Sequence, residues 1–387
     1  MVKGKLIRIK NIKSKLISGK FGDQKYYGYG DKKIISLVKI TLSNGNYGYG
    51  ESLVGIYSPK LFELNLNYLS KNFIGKTISE CFKELKKLQY NKFFFYQGII
   101  KSILSAIEIA LISNHSQINK CTFADSIAKT FIKSNIKKEN SVEIYASAGS
   151  IRSSLKNLKK DFIRAKDLKI NRIKIRLDIN RNYKKILNNV EKYFENYAVD
   201  LIANTFRRNN NYSKLNQFLS YIKNKKLLWL EEPTNIENIF EKSIFDGKGK
   251  INISIGENFT SYYDFLSLLH IKHLKYVNVD LSHCSISDII KIIRYIKNNK
   301  INKKIILHCW GSIVNLNASL ELASLFKKEI LMVEFPITKF ELNDFFVMNA
   351  KIKNSKFYLK NDLKIIENFY NKNLKYKKKE KDKFKFE

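Results

Sequence analysis

A chain of 387 residues is long for one ordinary domain and suits a barrel of ~250 residues with a smaller partner of roughly 140. Its 44% hydrophobic content, with 26 Phe and 22 Tyr, supplies a large core and excludes a wholly disordered chain. The 71 Lys and Arg against 35 Asp and Glu give a net charge of +36, which raises nucleic acid as a partner. The lysines, however, are spread through nearly every segment beside abundant Asn and Ile, which fits a drift of the whole composition and not a binding stripe. The concentrated basic run, 375–387, is expected to be a solvated, flexible tail.

No run reaches the ~18 uninterrupted apolar residues of a membrane span. The opening MVKGKLIRIKNIKSK alternates charges where a signal peptide has its apolar segment, so a cytoplasmic protein is expected. Cys81, Cys121, Cys284 and Cys309 form no CxxC pair, which argues against a disulfide framework or a zinc knuckle.

Residues 4–14 and 34–52 read as strands, the latter turning at Ser43-Asn44-Gly45-Asn46 and running into Tyr47-Gly48-Tyr49-Gly50-Glu51. Between them the loop 17–31, with Gly19, Gly22, Gly28 and Gly30, is expected to close over a mouth and select the distal part of a substrate. From Lys71 to Ser113 apolar residues recur at three and four, as in Ile99, Ile103, Ala106, Ile107 and Ala110, so this stretch reads as helical. An α+β unit over 1–140 results.

From Val142 onward, short apolar runs alternate with amphipathic stretches of 10 to 15 residues, which is βα repetition. The runs are Glu143–Ala148, Arg172–Leu177, Val199–Asn204, Leu228–Glu232, Ile251–Glu257, Tyr276–Asp280, Lys304–His308 and Leu331–Glu334. Eight runs predict an α/β fold, a closed (β/α)8 barrel over 141–340. Residues 341–387 would then return toward the N-terminal unit. An open doubly wound sheet could use the same units, but no glycine-rich phosphate turn follows the first strand.

In a parallel barrel the chemistry gathers at the C-terminal ends of the strands. Those ends carry Lys174 with Arg176, then Asn204, Glu231 with Glu232, Glu257, Asp280, His308 and Glu334, spaced 23 to 30 residues apart, about one βα unit. Any one of them is more simply a solvated strand end; their common register is not. Of three prolines, Pro233 and Pro336 follow Glu-Glu and Glu-Phe directly, ending those strands and fixing the carboxylates.

These residues resemble the mandelate racemase and muconate lactonizing group of the enolase superfamily. The likeness spans nearly the whole chain: Tyr49-Gly50-Glu51, the helix Ser105–Leu111, Tyr145–Gly149, Lys174-Ile175-Arg176, Trp229-Leu230-Glu231-Glu232-Pro233, Gly256-Glu257-Asn258, Asp280, His308–Ser312 and Glu334-Phe335-Pro336. The His308 segment and Asn317–Ala323 are most similar to the acid-sugar dehydratase and cycloisomerase branches. The resemblance implies an N-terminal capping domain on a barrel that removes the α-proton of a carboxylate and holds the enediolate on Mg2+. It implies Asn204, Glu231 and Glu257 as metal ligands, with Asn204-Thr205-Phe206 standing where the family has Asp-x-Asn. An amide in place of a carboxylate would weaken the hold on the cation. Asp200 is expected to begin its strand and lie at the opposite end of the barrel.

By the same resemblance Asp280 and His308 form a dyad in which the carboxylate orients the imidazole, and Glu334 hydrogen-bonds the substrate's carboxylate. His115, His270, His273 and His283 read as structural. Lys174 is expected beside the substrate, and Arg176 stands where the family has a second lysine. Guanidinium is a poor proton acceptor, so racemisation, which needs a base on each face, is disfavoured. One base on His308 suits a Mg2+-dependent lyase that eliminates water from a sugar acid. The alternatives are a cycloisomerase or epimerase using the same enediolate, or a non-catalytic anion-binding relative. The partners expected are a small-molecule carboxylate and further copies of the chain in a homo-oligomer, with no membrane and no specific nucleic acid.

Overall fold

The computed structural model describes residues 6–20, 32–90, 98–133, 136–151, 153–202, 212–234, 239, 251–348, 350–359 and 363–372. Three antiparallel strands open the chain: β1 (Ile9–Lys20), β2 (Lys32–Leu42) and β3 (Tyr47–Ser52), in the order β1-β2-β3. β1 runs six residues past the expected strand end at residue 14, because Ser14 through Lys20 pair in register with Val38 back to Lys32. What remains of the expected specificity loop, 21–31, lies outside the described residues.

Helices Pro59–Ser70, Ile78–Gln89 and Gly98–Ile118 pack on one face of this sheet around Val38, Ile40, Phe62, Leu66, Ile103 and Ile107. The helix from Gly98 is apolar nearly all round and buried over most of its length, since the sheet covers one side and the barrel another. β3 approaches it closely. A Cβ on Gly50 would stand 1.8 Å from the Ala106 carbonyl oxygen, so the Tyr-Gly-Tyr-Gly-Glu alternation is a packing requirement.

Eight parallel strands follow: β4 (Ser141–Ala148), β5 (Arg172–Arg176), β6 (Asn196–Asp200), β7 (Leu227–Glu231), β8 (Ile253–Ile255), β9 (Leu274–Asp280), β10 (Lys304–His308) and β11 (Ile330–Pro336). Each pairs with the next, and β11 returns to β4 through Val333↔Ile144 and Glu334↔Tyr145, so the barrel is closed. A hairpin of β12 (Ile352–Lys353) and β13 (Lys356–Tyr358) adds antiparallel to the start of β4. Helix Leu363–Asn371 then lays Ile366 and Phe369 against Ile17, Leu37 and Tyr49 of the first sheet.

Two apolar layers hold the barrel. The larger lies between strands and outer helices, with Ile173, Val199, Leu230, Val277 and Leu307 from the strands. The smaller fills the interior, where Tyr145, Ala198, Trp229, Ile306 and Met332 meet and the Tyr145 and Trp229 rings contact edge to face at 5.0 Å. This plug is the floor on which the polar strand ends stand. Gly50→Ala is expected to cost about 2 kcal/mol, the scale of an overpacked core, read as a lower denaturant midpoint; an unchanged midpoint would show that β3 and the helix can separate freely.

Candidate active site

Strand register places the polar groups together before any side-chain contact is considered. Arg176 pairs with Asp200 and Asp200 with Glu231, a rung of one cation and two carboxylates across β5, β6 and β7. Asp280 pairs with His308 across β9 and β10. Because side chains alternate along a strand, Lys174 lies on the same face as Arg176, one pleat deeper.

Here the third strand departs from expectation. It ends at Asp200 instead of running from Val199 to Asn204, and the chain turns at once: Ile202 adopts a left-handed conformation with φ 52° and donates its N–H to Asp200 Oδ1 at 2.8 Å. A β-branched residue at positive φ is strained. Asp200 therefore sits at the mouth, buried beside Lys174, and not at the far end of the barrel. Asn204 lies outside the described residues.

Lys174 is the centre of the charge network. It is fully buried and donates to Glu231 Oε1, with Glu334 Oε2 at 3.5 Å and Asp200 Oδ2 at 3.6 Å. Burial disfavours its charge, but Glu231, Glu334 and Asp200 outweigh that and hold the ammonium well above its ordinary range. Arg176 reaches Glu334 Oε1 at 3.4 Å, Asp200 Oδ2 at 3.7 Å and the Gly149 carbonyl at 3.2 Å. Trp229 Nε1 donates to Glu231 Oε2 at 2.7 Å, and Tyr145 Oη to Glu334 Oε2 at 3.3 Å, so the floor also orients the site's acids.

The charge is unevenly balanced. Glu334 faces Lys174, His308 and Arg176, which overcome burial and hold it down at about 2. These neighbours favour its ionised form, and Lys174 and Arg176 are the cations beside it. On the other side, burial, with Glu257 adding, raises Asp200, and burial, with Asp200 and Glu334 adding, raises Glu231 against the pull of Lys174. Glu232, turned back at φ 45° and bound to the Gly256 N–H at 3.2 Å, is pushed well above its usual range by burial and then Glu257.

His308 faces the cluster from β10. Its Nδ1 meets Asp280 Oδ2 at 2.6 Å, while Nε2 points at Glu257 Oε2, 3.4 Å, and Glu334 Oε2, 3.6 Å. Burial works against the imidazolium, but Glu257, Glu334 and Asp280 raise it to about 10. Asp280 is held well below the carboxylate range, since the His308 bond and charge and the Ser282 hydroxyl more than offset its burial. Of the other histidines, His115 engages Ser126, His270 Tyr295 and His273 the Ile239 carbonyl. His283 differs: it follows Asp280 at the mouth and donates its backbone N–H to the Asp280 carbonyl at 3.1 Å, while burial lowers its imidazole, so it belongs to the site's surroundings.

Above the cluster, a pocket between capping sheet and barrel is lined by Lys33, Arg176, Trp310, Thr338, Phe340 and Asn343. Among the described residues no three His, Cys, Asp or Glu side chains are gathered closely enough to hold a metal; Glu231 is engaged by Lys174 and Glu257 by His308. The donor chemistry nonetheless fits a hard divalent cation. Asp200, Glu231 and Glu257 follow one another at the ends of β6, β7 and β8, all oxygen donors, and the first two lack full compensation for their buried charge. Sequence reading set Asp200 at the opposite end of the barrel, although inward-facing Ala198 two residues earlier signals its direction. It also missed Tyr145, Trp229 and Asn315 as partners of the site acids.

The Enolase C-terminal domain-like family model, that of the mandelate racemase and muconate lactonizing group, matches residues 163–362. No curated protein sequence matches the chain. Among solved structures, the 3,6-anhydro-D-galactonate cycloisomerase of Zobellia galactanivorans superposes with TM-score 0.72 at 18% identity, covering 94% of this chain and 99% of that one. The L-talarate/galactarate dehydratase of Salmonella typhimurium LT2 gives 0.74 at 17%, covering 93% and 89%. An enolase from Bradyrhizobium complexed with magnesium and mandelic acid gives 0.69 at 13%, covering 86% and 88%. At these identities the likeness shows the fold.

Lys174→Met leaves Asp200, Glu231 and Glu334 buried with one cation fewer. The expected loss is about 3–5 kcal/mol of stability, as for a broken buried pair, read by denaturant unfolding at pH 8. Carboxyls raised in the folded state bind protons more tightly there than when unfolded, so the deficit should shrink as pH falls toward 5. A deficit that grows on acidification would contradict this charge assignment.

Proposed function

This chain belongs to the Enolase C-terminal domain-like family of the enolase superfamily, and from that membership we propose that it is a Mg2+-dependent carbon–oxygen lyase acting on a sugar acid. The observation that carries the reading is the asymmetry of the two faces. One presents His308 Nε2 with Asp280 fixed behind it; the other presents Lys174, held protonated by three acids, and Arg176, a guanidinium. A single proton-transfer group suits elimination from one side of the substrate and not inversion at the α-carbon.

Asp200, Glu231 and Glu257 would hold the cation, with Asp200 supplying the charge that Asn204 was expected to lack. A Mg2+ held there would supply positive charge to offset the negative charge that develops as the α-proton leaves. Arg176, bordering the mouth pocket, would bind the substrate's oxygens. Asp280 keeps a proton on His308 Nδ1, so transfer runs through Nε2. The surrounding acids raise the imidazole, Glu257 most strongly; with the charge of Glu257 offset, Nε2 would release its proton to solvent and then be free to take the α-proton. As imidazolium it then gives that proton to the departing β-oxygen on the same face. If that oxygen is a hydroxyl, water leaves and the enol product becomes a 2-keto-3-deoxy acid.

The cycloisomerase reading differs only in the leaving oxygen, which would belong to a ring. The likeness to the Zobellia galactanivorans enzyme, over 94% of this chain, supports keeping it as the second reading. Screening acid sugars and their anhydro forms with Mg2+ separates the two: 2-keto-3-deoxy products from open-chain acids are expected. His308→Asn should lower turnover by at least the ~10²–10⁴-fold typical of acid–base catalysis, and Asp200→Asn should weaken Mg2+ binding in calorimetry. Tight Mg2+ binding without turnover on any member would favour the non-catalytic alternative, and unchanged binding in Asp200→Asn would remove that residue from the ligand set.

A further inference from the structure

The turn that follows His308 is gripped by the capping sheet through two residues of opposite charge. Glu51, from β3, receives the Ser312 N–H at 2.8 Å on Oε1 and 3.0 Å on Oε2, the Ser312 hydroxyl at 2.5 Å and the Asn315 N–H at 3.2 Å. Ser312 and Asn315 begin the helix Ile313–Leu325, so the carboxylate satisfies free N–H groups at a helix start, where negative charge is favoured. Lys33, from β2, donates to the Trp310 and Gly311 carbonyls, and its ammonium lies over the Trp310 ring at 4.3 Å. There is no room for a side chain between: a Cβ on Gly311 would stand 2.5 Å from Glu51 Oε1 and 2.8 Å from Asn315 Cβ.

The grip reaches the imidazole. Asn315 Nδ2 donates to Asp280 Oδ1 at 3.0 Å, the oxygen that also accepts the Ser282 N–H at 2.7 Å and hydroxyl at 2.6 Å. Those donors occupy Oδ1 and leave Oδ2 for His308 Nδ1. On the far side of the ring, Cys309 N–H donates to Glu334 at 3.3 Å. We infer that Glu51 is a positioning residue for His308: the capping sheet fixes the turn that carries Asn315, Asn315 fixes the rotation of Asp280, and Asp280 fixes the imidazole. The capping domain thus has a part in proton transfer, through contacts that do not touch substrate. Its catalytic consequence rests on His308 acting as proposed above; the structural chain does not.

The test reads both separately. In the full-length protein in water, the His308 Nδ1 proton, in a 2.6 Å contact, should give a far-downfield proton resonance, assigned by its loss in His308→Asn. Glu51→Ala should shift that resonance upfield or broaden it away. With a substrate in hand it should lower kcat toward the ~10²-fold expected of a small misplacement, with little change in KM. Glu51→Gln, which keeps one acceptor oxygen, should recover part of both. If Glu51→Ala fails to fold, Ser312→Ala and Glu51→Gln carry the same readings. An altered resonance in a protein that turns over no acid sugar would sink the proposed lyase and leave the positioning chain standing. A wild-type spectrum without the resonance, or variants with wild-type resonance and kcat, would overturn the inference.

Discussion

One buried ammonium organises the mouth of the barrel. Lys174 has no exposure to water, yet three carboxylates from β6, β7 and β11 converge on it. Burying so many charges costs several kcal/mol per ion unless each is paired, and pairing here requires that all the strands end in register. The closed barrel supplies that register, the aromatic plug beneath supplies the indole and phenol donors, and the outer apolar layer stabilises an arrangement that would not be stable alone.

The network is polarised. The β11 side, around Glu334, has cations on three sides, whereas the side running from β6 to β8 carries more negative charge than its neighbours neutralise. A carboxylate substrate approaching from the capping side would find Arg176 at the mouth pocket, with the acids of β6 to β8 behind it. The same geometry gives the imidazole a defined direction, Nδ1 to Asp280 and Nε2 to the centre. The dyad's surroundings are not built from the barrel alone, because Glu51 and Lys33 of the capping sheet fasten the turn beyond His308.

Much of this could be read from residues alone. The eight strand runs, and a polar residue near the end of seven of them, were visible because parallel strands are apolar on both faces and their ends are not. The third strand misled for a specific reason: Leu201, Ile202 and Ala203 prolong the apolar run beyond Asp200, so the strand seemed to continue to Asn204. In the folded chain a left-handed turn at Ile202 intervenes, a conformation that a β-branched side chain gives no cause to expect. The long-range partners of the site, Glu51 with Ser312 and Tyr145 with Glu334, were quoted in motifs without their contacts, since nothing in spacing tells which donor a buried acid will find. Charge was the least informative feature: a net +36 coexists with a site whose surplus is negative.

The central claim is that protons move on one face only. It is tested most directly by incubating wild-type protein, Mg2+ and an accepted sugar acid in deuterated water and determining the configuration at the α-carbon of recovered substrate. The account predicts deuterium entering with retention at that centre, because His308 Nε2 alone delivers it. Appearance of the opposite epimer would contradict it, showing that a second competent base stands on the Lys174 and Arg176 face.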